Sequence, residues 1–217
     1  MNLNMYYEDI IQDKEINEYI KYSDKCLENM GFTEHGFAHV KKVVNSVEYI
    51  LSQLGYDEHS IELGKISGYM HDIGNCVNRH HHSHSSALMV QRLLNERNFP
   101  IEDIAKISYA VGNHDEGDGT PADPLSAALI IADKADVRRS RVRKTTISDF
   151  DIHDKVNYAI SNASLIVNKE KQTITLSIFL DKEYSSVLDY FEIFLNRMTL
   201  CKKASEVLGC EFVLVFE

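Results

Sequence analysis

From the N-terminus to about residue 145, apolar residues recur at the three- and four-residue spacing of a helix face, and this period constrains the chain more than any other feature. Val40, Val43, Val44, Val47, Ile50, Leu51 and Leu54 form the clearest stripe, and Gly55 ends it. A second stripe, Ile61, Leu63, Ile66, Met70 and Ile73, runs into Gly74, so His71 and Asp72 are placed at a helix C-terminal end. Ala87 to Leu94, Ile101 to Val111 and Leu125 through Val137 predict three more helices. Between the last two, GNHDEGDGTPADP is too rich in Gly, Asp and Pro for regular structure and reads as a loop that carries His114. The fold class that follows is mainly α, a bundle of helices.

The pattern changes after about Phe150. Ser164 to Val167 and Thr173 to Leu180 alternate branched and polar residues around the polar turn Asn168 to Lys171, which predicts a hairpin. A helix from about Ser185 to Leu208 follows, with Val187, Leu188, Phe191, Phe194, Leu195 and Met198 as a stripe for the core or a homodimer interface, and then a strand over Glu211 to Phe216. No repeat or low-complexity linker separates the two regions. We therefore expect residues 1–148 to form the helical domain and residues 149–217 to form a small α+β portion packed on it.

At 217 residues the chain can bury a substantial core without a partner. Its net charge of -10 argues against binding long nucleic acid, which requires many phosphates to be neutralised. Cys26, Cys76, Cys201 and Cys210 lie far apart with no CxxC pair, as expected of reduced thiols in a cytoplasm. The acidic start MNLNMYYEDIIQDKE predicts no secretory signal, and no apolar run approaches the roughly 20 residues that span a bilayer, so no membrane role is expected.

The histidines and acids carry the chemistry. His71-Asp72 is a doublet, His80, His81, His82 and His84 are clustered, and His39, His114 and Asp133 stand around them at helix or loop positions. Imidazole with carboxylate suits Fe, Mn or Zn, whereas an all-oxygen set would suit Mg or Ca, and this inventory suffices for a binuclear centre. On a regular helix of about 100° per residue, Asp136, Arg139 and Arg143 share a side with Asp133, while Arg138 is turned about 140° away. The basic run Arg138 to Lys144 is therefore read as a phosphate clamp through Arg139 and Arg143, with Lys134 also at the substrate.

Taken in order, HGFAHVKKVV, GYMHDIGN, HSHSSA, GNHDEGDGTP and IIADKAD resemble the successive motifs of the HD superfamily. The resemblance implies an HD-type helical bundle holding one or two divalent transition metals, Fe or Mn first, with Zn, Ni, Co or Mg as alternatives. It implies His39, His71, Asp72, His82, His114 and Asp133 as ligands, with His84 the competitor of His82. Asn75, Asn113 and Thr120 depart from the subgroup that hydrolyses cyclic dinucleotides, and they argue against such a substrate.

The activity implied is hydrolysis of a phosphoester or phosphoanhydride in a small phosphorylated molecule, a nucleotide in the first instance. Asp72 would bridge the metals, and Asp136 or a metal-bound water would handle the proton. An HD-type di-iron oxygenase, or a module that senses a nucleotide or metal without catalysis, are the alternatives.

Overall fold

Several helices of the bundle begin or end where the sequence supplies a cap. The computed structural model describes residues 6–217; residues 1–5, the beginning of the acidic start, lie outside the described residues. After α1 (Tyr6–Gln12), the Asp13 carboxylate accepts from Ile16 N and opens α2 (Lys14–Asn29). The valine stripe forms α3 (Phe37–Leu54), closed by Gly55 at φ 86°, a left-handed cap that glycine adopts without strain. Asp57 caps α4 (Glu58–Met70), and α5 (His82–Glu96), α6 (Ile101–Gly112) and α7 (Pro124–Lys134) follow. α7 lies at the centre, with Ala127 through Ala132 all buried.

The region after residue 149 opens with α8 (Ile152–Ala159). It continues through β1 (Ile160–Asn168), β2 (Thr173–Leu180), α9 (Val187–Val207) and β3 (Glu211–Phe216). β1 and β2 are the expected antiparallel hairpin, whereas β3 returns parallel to β2, pairing Thr173 with Glu211 through Ile178 with Phe216. A parallel neighbour needs a crossover, and α9 provides it. β2 is thus the central strand, and Ile174, Leu176, Ile178 and Leu180 bury one of its faces. The architecture is a mainly α bundle with a small α+β portion. One hydrophobic core runs through both, because α9 packs along α7, behind the helix that carries Asp133. Among the described residues, no helix is long and apolar enough to cross a membrane.

Three expectations need correction. α4 stops at Met70 with His71 as its cap, and Gly74 lies in a separate 3-10 turn, Ile73–Cys76. On α9 the buried face is Tyr190, Phe194, Met198 and Cys201, while Leu188 and Leu195 of the expected stripe are exposed. Most consequential, α7 does not continue through Val137: Arg138 is extended at φ -165° and Arg139–Arg141 is a short 3-10 turn. The reason is Arg141, whose buried guanidinium donates to the carbonyls of Asp136 (2.7 Å) and Glu34 (2.8 Å) and turns the chain back against the segment before α3.

Removal of everything after Arg143 takes α9 off the back of α7 and exposes its apolar surface. We expect that fragment to be insoluble or to lose cooperative thermal unfolding, as followed by circular dichroism.

Candidate metal centre

Six side chains from five chain segments converge on one buried point. His39 comes from the first turn of α3, His71 and Asp72 from the end of α4, His82 from the first residue of α5, His114 from the loop after α6, and Asp133 from the end of α7. All four imidazoles are buried, with at most 2% exposed. His39 Nε2 lies 3.3 Å from His71 Nε2 and 3.3 Å from Asp133 Oδ1. His82 Nε2 lies 3.2 Å from His114 Nε2 and 3.3 Å from Asp72 Oδ1. The other Asp72 oxygen, Oδ2, faces His71 Nε2 at 3.4 Å, so its two carboxylate oxygens address two different histidine sets.

The outer nitrogen of every ring fixes what the inner one can do. Nδ1 of His71, His82 and His114 donates to the carbonyls of Gly68 (2.9 Å), Arg79 (3.1 Å) and Val111 (2.6 Å). His39 Nδ1 donates to Asp136 Oδ2 at 2.8 Å. A carbonyl can only accept, so the proton sits on Nδ1 and the Nε2 lone pair points inward. Lone pairs facing one another at 3.2 to 3.3 Å, beside ionised carboxylates, need a cation. Two nitrogens each about 2.0–2.1 Å from one ion would stand roughly 2.9–3.4 Å apart, which is the spacing seen. The ligand atoms fall into overlapping groups, His39, His71 and Asp72; His71, His114 and Asp133; and Asp72, His82 and His114, each within 4.8 Å. Nitrogen with carboxylate oxygen fits a transition metal, and the shared Asp72 fits a pair of them.

Without a metal a proton takes the cation's place: burial would lower the His71 imidazole, yet Asp72 and Asp133 raise it above its ordinary value. Burial alone would raise the Asp72 carboxyl, yet His71, His114 and His82 hold it well below the usual carboxylate range. Burial opposes ionisation of Asp133 as well, and Lys134 with His39 and His71 overcomes it. Lys134 Nζ holds Asp133 Oδ2 at 2.8 Å and Glu116 Oε2 at 2.7 Å, and Glu116 Oε1 accepts from Arg197 Nε at 2.8 Å. One oxygen of Asp133 is thereby pinned outward while the other faces the histidines.

Residues 36–139 match the family model of the HD domain. This chain carries an HD domain. The match ends before α8, so the α+β portion lies outside it. Over 203 residues, 82% of this chain and 77% of the other, the protein is 27% identical to an uncharacterized protein of Methanocaldococcus jannaschii. It is also similar to a solved structure of a predicted HD superfamily hydrolase from an uncultured Thermotogales bacterium, at 24% identity and a TM-score of 0.48, over 64% of this chain and 75% of that one.

Within the HD domain, His82 converges and His84 does not: His84 is exposed and sits with His81 and Asp118 in a separate surface group. Four residues expected at the substrate or the proton have other partners. Asp136 is buried between His39 Nδ1 and Arg138 Nε, so it orients a ligand instead of touching a reactant. Lys134 is engaged by Asp133 and Glu116. Arg139 stacks over Tyr158 and donates to its carbonyl, and Arg143 pairs with Asp24 at the far end of α2. The clamp through Arg139 and Arg143 fails because the helix that would align them ends at Lys134, while Arg138, expected to face away, bonds Asp136.

The cavity that opens beside the ligands, about 220 Å³, is lined by residues that the sequence did not single out, among them His35, Arg79, Arg141, His153, Asn157 and Arg197. Arg79 Nη1 lies 3.3 Å from His82 Nε2, and the His35 ring packs edge-on to His39 at 5.4 Å. Two larger clefts flank it: one of about 330 Å³ beside β1, lined by Arg138 and Arg139, and one of about 380 Å³ on the other side of Arg79, lined by His82 itself with His80, His81, Asp115 and Asp118.

Two substitutions probe this support. Asp136→Ala removes the acceptor that orients His39 and should lower metal affinity about 10- to 100-fold, measured by competition with a chromophoric chelator. At Gly74 an added Cβ would lie 2.3 Å from His82 O and 2.4 Å from Ser86 N, backbone that cannot swing aside. Gly74→Ala should therefore displace the start of α5, costing on the order of 1–3 kcal/mol in denaturant unfolding and reducing bound metal with it.

Proposed function

We propose that this protein is a metal-dependent phosphohydrolase that cleaves a phosphoester or phosphoanhydride bond of a small phosphorylated molecule, a nucleotide in particular. The observation that carries the reading is the inward set of four Nε2 lone pairs with Asp72 shared between two histidine groups. His39, His71, Asp72 and Asp133 would hold one metal, and Asp72, His82 and His114 the other. Iron or manganese suits these donors best. Bound there, such metals supply a water of lowered pKa and a Lewis acid toward phosphoryl oxygen.

The chain's own residues do the rest. Asp136, Gly68, Arg79 and Val111 keep the four imidazoles neutral at Nε2 and fixed in orientation. Lys134 and Glu116 hold Asp133 so that a single oxygen faces the centre. His35 donates from Nδ1 to Thr33 O at 2.7 Å, and burial with the nearby Arg141 charge holds its imidazole well below the ordinary value, which leaves a neutral Nε2 acceptor in the cavity wall for a substrate hydroxyl or a bound water. Phe32, 40% exposed at the cavity mouth, offers a flat face for a base. Substrate turnover is proposed to take place in the cytoplasm.

Stripping metal with a chelator should abolish hydrolysis of a nucleoside monophosphate panel and of p-nitrophenyl phosphate, and Mn(II) or Fe(II) should restore it. Asp72→Ala should remove both the activity and at least one metal by elemental analysis. A metal-free purified protein that gains no activity with any divalent ion would refute the reading, as would full activity in Asp72→Ala.

A further inference from the structure

The HD domain accounts for the ligands but not for the whole of the cavity beside them. Its far wall comes from the α+β portion: His153 and Asn157 of α8, and Phe194 and Arg197 of α9. Three guanidinium groups line this one space, and they lie at two depths. Arg79 touches the His82 ring at 3.3 Å, directly at the centre. Arg141 and Arg197 stand one carboxylate further out: Arg141 behind Asp136, which holds His39, and Arg197 behind Glu116 and Lys134, which hold Asp133.

The outer two have donors to spare. Arg141 is 4% exposed, and its Nη2 is buried with no hydrogen-bond partner among the described residues. A buried, charged N–H without an acceptor is costly, and native structures keep one where a ligand completes it. Arg197 spends Nε on Glu116 and lies flat on the Phe194 ring at 4.6 Å, which fixes its plane, while neither of its Nη atoms is bonded to a described residue. The acids of the same cavity, Asp151 and Asp154, are engaged elsewhere: Lys144 bonds both, at 3.4 and 2.5 Å, and each caps α8.

We propose that Arg141 and Arg197 form a receptor for a second anionic group of the substrate, one that does not react, so that the preferred substrate class carries two adjacent phosphoryl groups. The inference rests on the phosphohydrolase reading for the first of these groups, which lies at the metals near Arg79. Planar guanidinium forks suit the outer phosphate, because they bond two of its oxygens at once and keep their charge at any physiological pH. With about 220 Å³ the cavity holds the phosphoryl end and leaves the remainder of the molecule toward Met30 and Phe32 at its mouth. The portion after residue 149 is then half of the substrate site, and it sets which phosphates are accepted.

The test is binding by calorimetry, with no turnover required, using inorganic phosphate and the non-hydrolysable methylenediphosphonate on Mn(II)-loaded protein and on chelator-treated protein. In the wild type we expect the diphosphonate to bind at least tenfold more tightly than phosphate. Because two phosphonates also grip metals, the deciding readout is the change on substitution. Arg197→Gln should reduce that preference at least fivefold, read as the ratio of the two affinities at matched metal occupancy so that any loosening of Asp133 through Glu116 and Lys134 cancels. Arg197→Lys should restore part of it, and Arg141→Lys provides a second variant should the first unfold. Arg92→Gln, on the exposed face of α5, should change nothing. An undiminished preference in folded Arg197→Gln and Arg141→Lys overturns the receptor, as does equal binding of the two ligands in the wild type. A normal preference lost in those variants, in a protein that hydrolyses no phosphoester, would instead keep the receptor and refute the hydrolase.

Discussion

The hydrogen bond from the outer nitrogen of each buried imidazole is the interaction on which the rest of this structure depends. Four rings, with three carboxylates in reach or behind them, are buried together, and an unoriented set would be a severe burden on stability. Gly68, Arg79 and Val111 offer backbone carbonyls and Asp136 a carboxylate, and together they commit all four rings to one tautomer. Gly68 and Val111 lie in the last turns of α4 and α6, and Arg79 in the bend that leads into α5. The residue three positions before His71, His82 and His114 supplies the carbonyl in each case, so the same spacing recurs at three of the four histidines.

A carboxylate layer surrounds this inner shell, and a cationic layer surrounds that. Asp136 connects His39 to Arg138 and Arg141, and Glu116 connects Lys134 to Arg197. Each layer neutralises the one beneath it, so a chain of net charge -10 can still present guanidinium groups where a phosphorylated molecule would enter. The α+β portion belongs to this outer layer through α9, which packs along α7 and carries Arg197.

The inner shell was legible in the sequence because its residues sit in contiguous motifs at helix ends, where periodicity and glycines already mark the boundaries. Even His82 against His84 turned on two residues along α5, from a buried first position to an exposed third one. The outer shell was not legible. Arg79, Arg141 and Arg197 are spread over more than half of the chain, and nothing local distinguishes them from solvated arginines. The basic run misled for a related reason: its residues favour helix, but the buried bonds of Arg141 to Asp136 and Glu34 outweigh that local preference. The parallel return of β3 was equally hidden, since a strand pattern fixes alternation but not its neighbour.

The dispersal of the ligands has a consequence for folding. His39 and Asp133 are far apart in sequence, with the doublet, His82 and His114 on separate segments between them, so no partly folded form can assemble the full set. A cation that needs the full set would bind the native chain more tightly than the unfolded one and would stabilise the fold by mass action, by up to about 2.7 kcal/mol when free ion stands at a hundred times its dissociation constant. A metal bound at the centre would therefore add to the stability of the fold as well as supply chemistry, and stripping it would lower the unfolding temperature before any substrate is met.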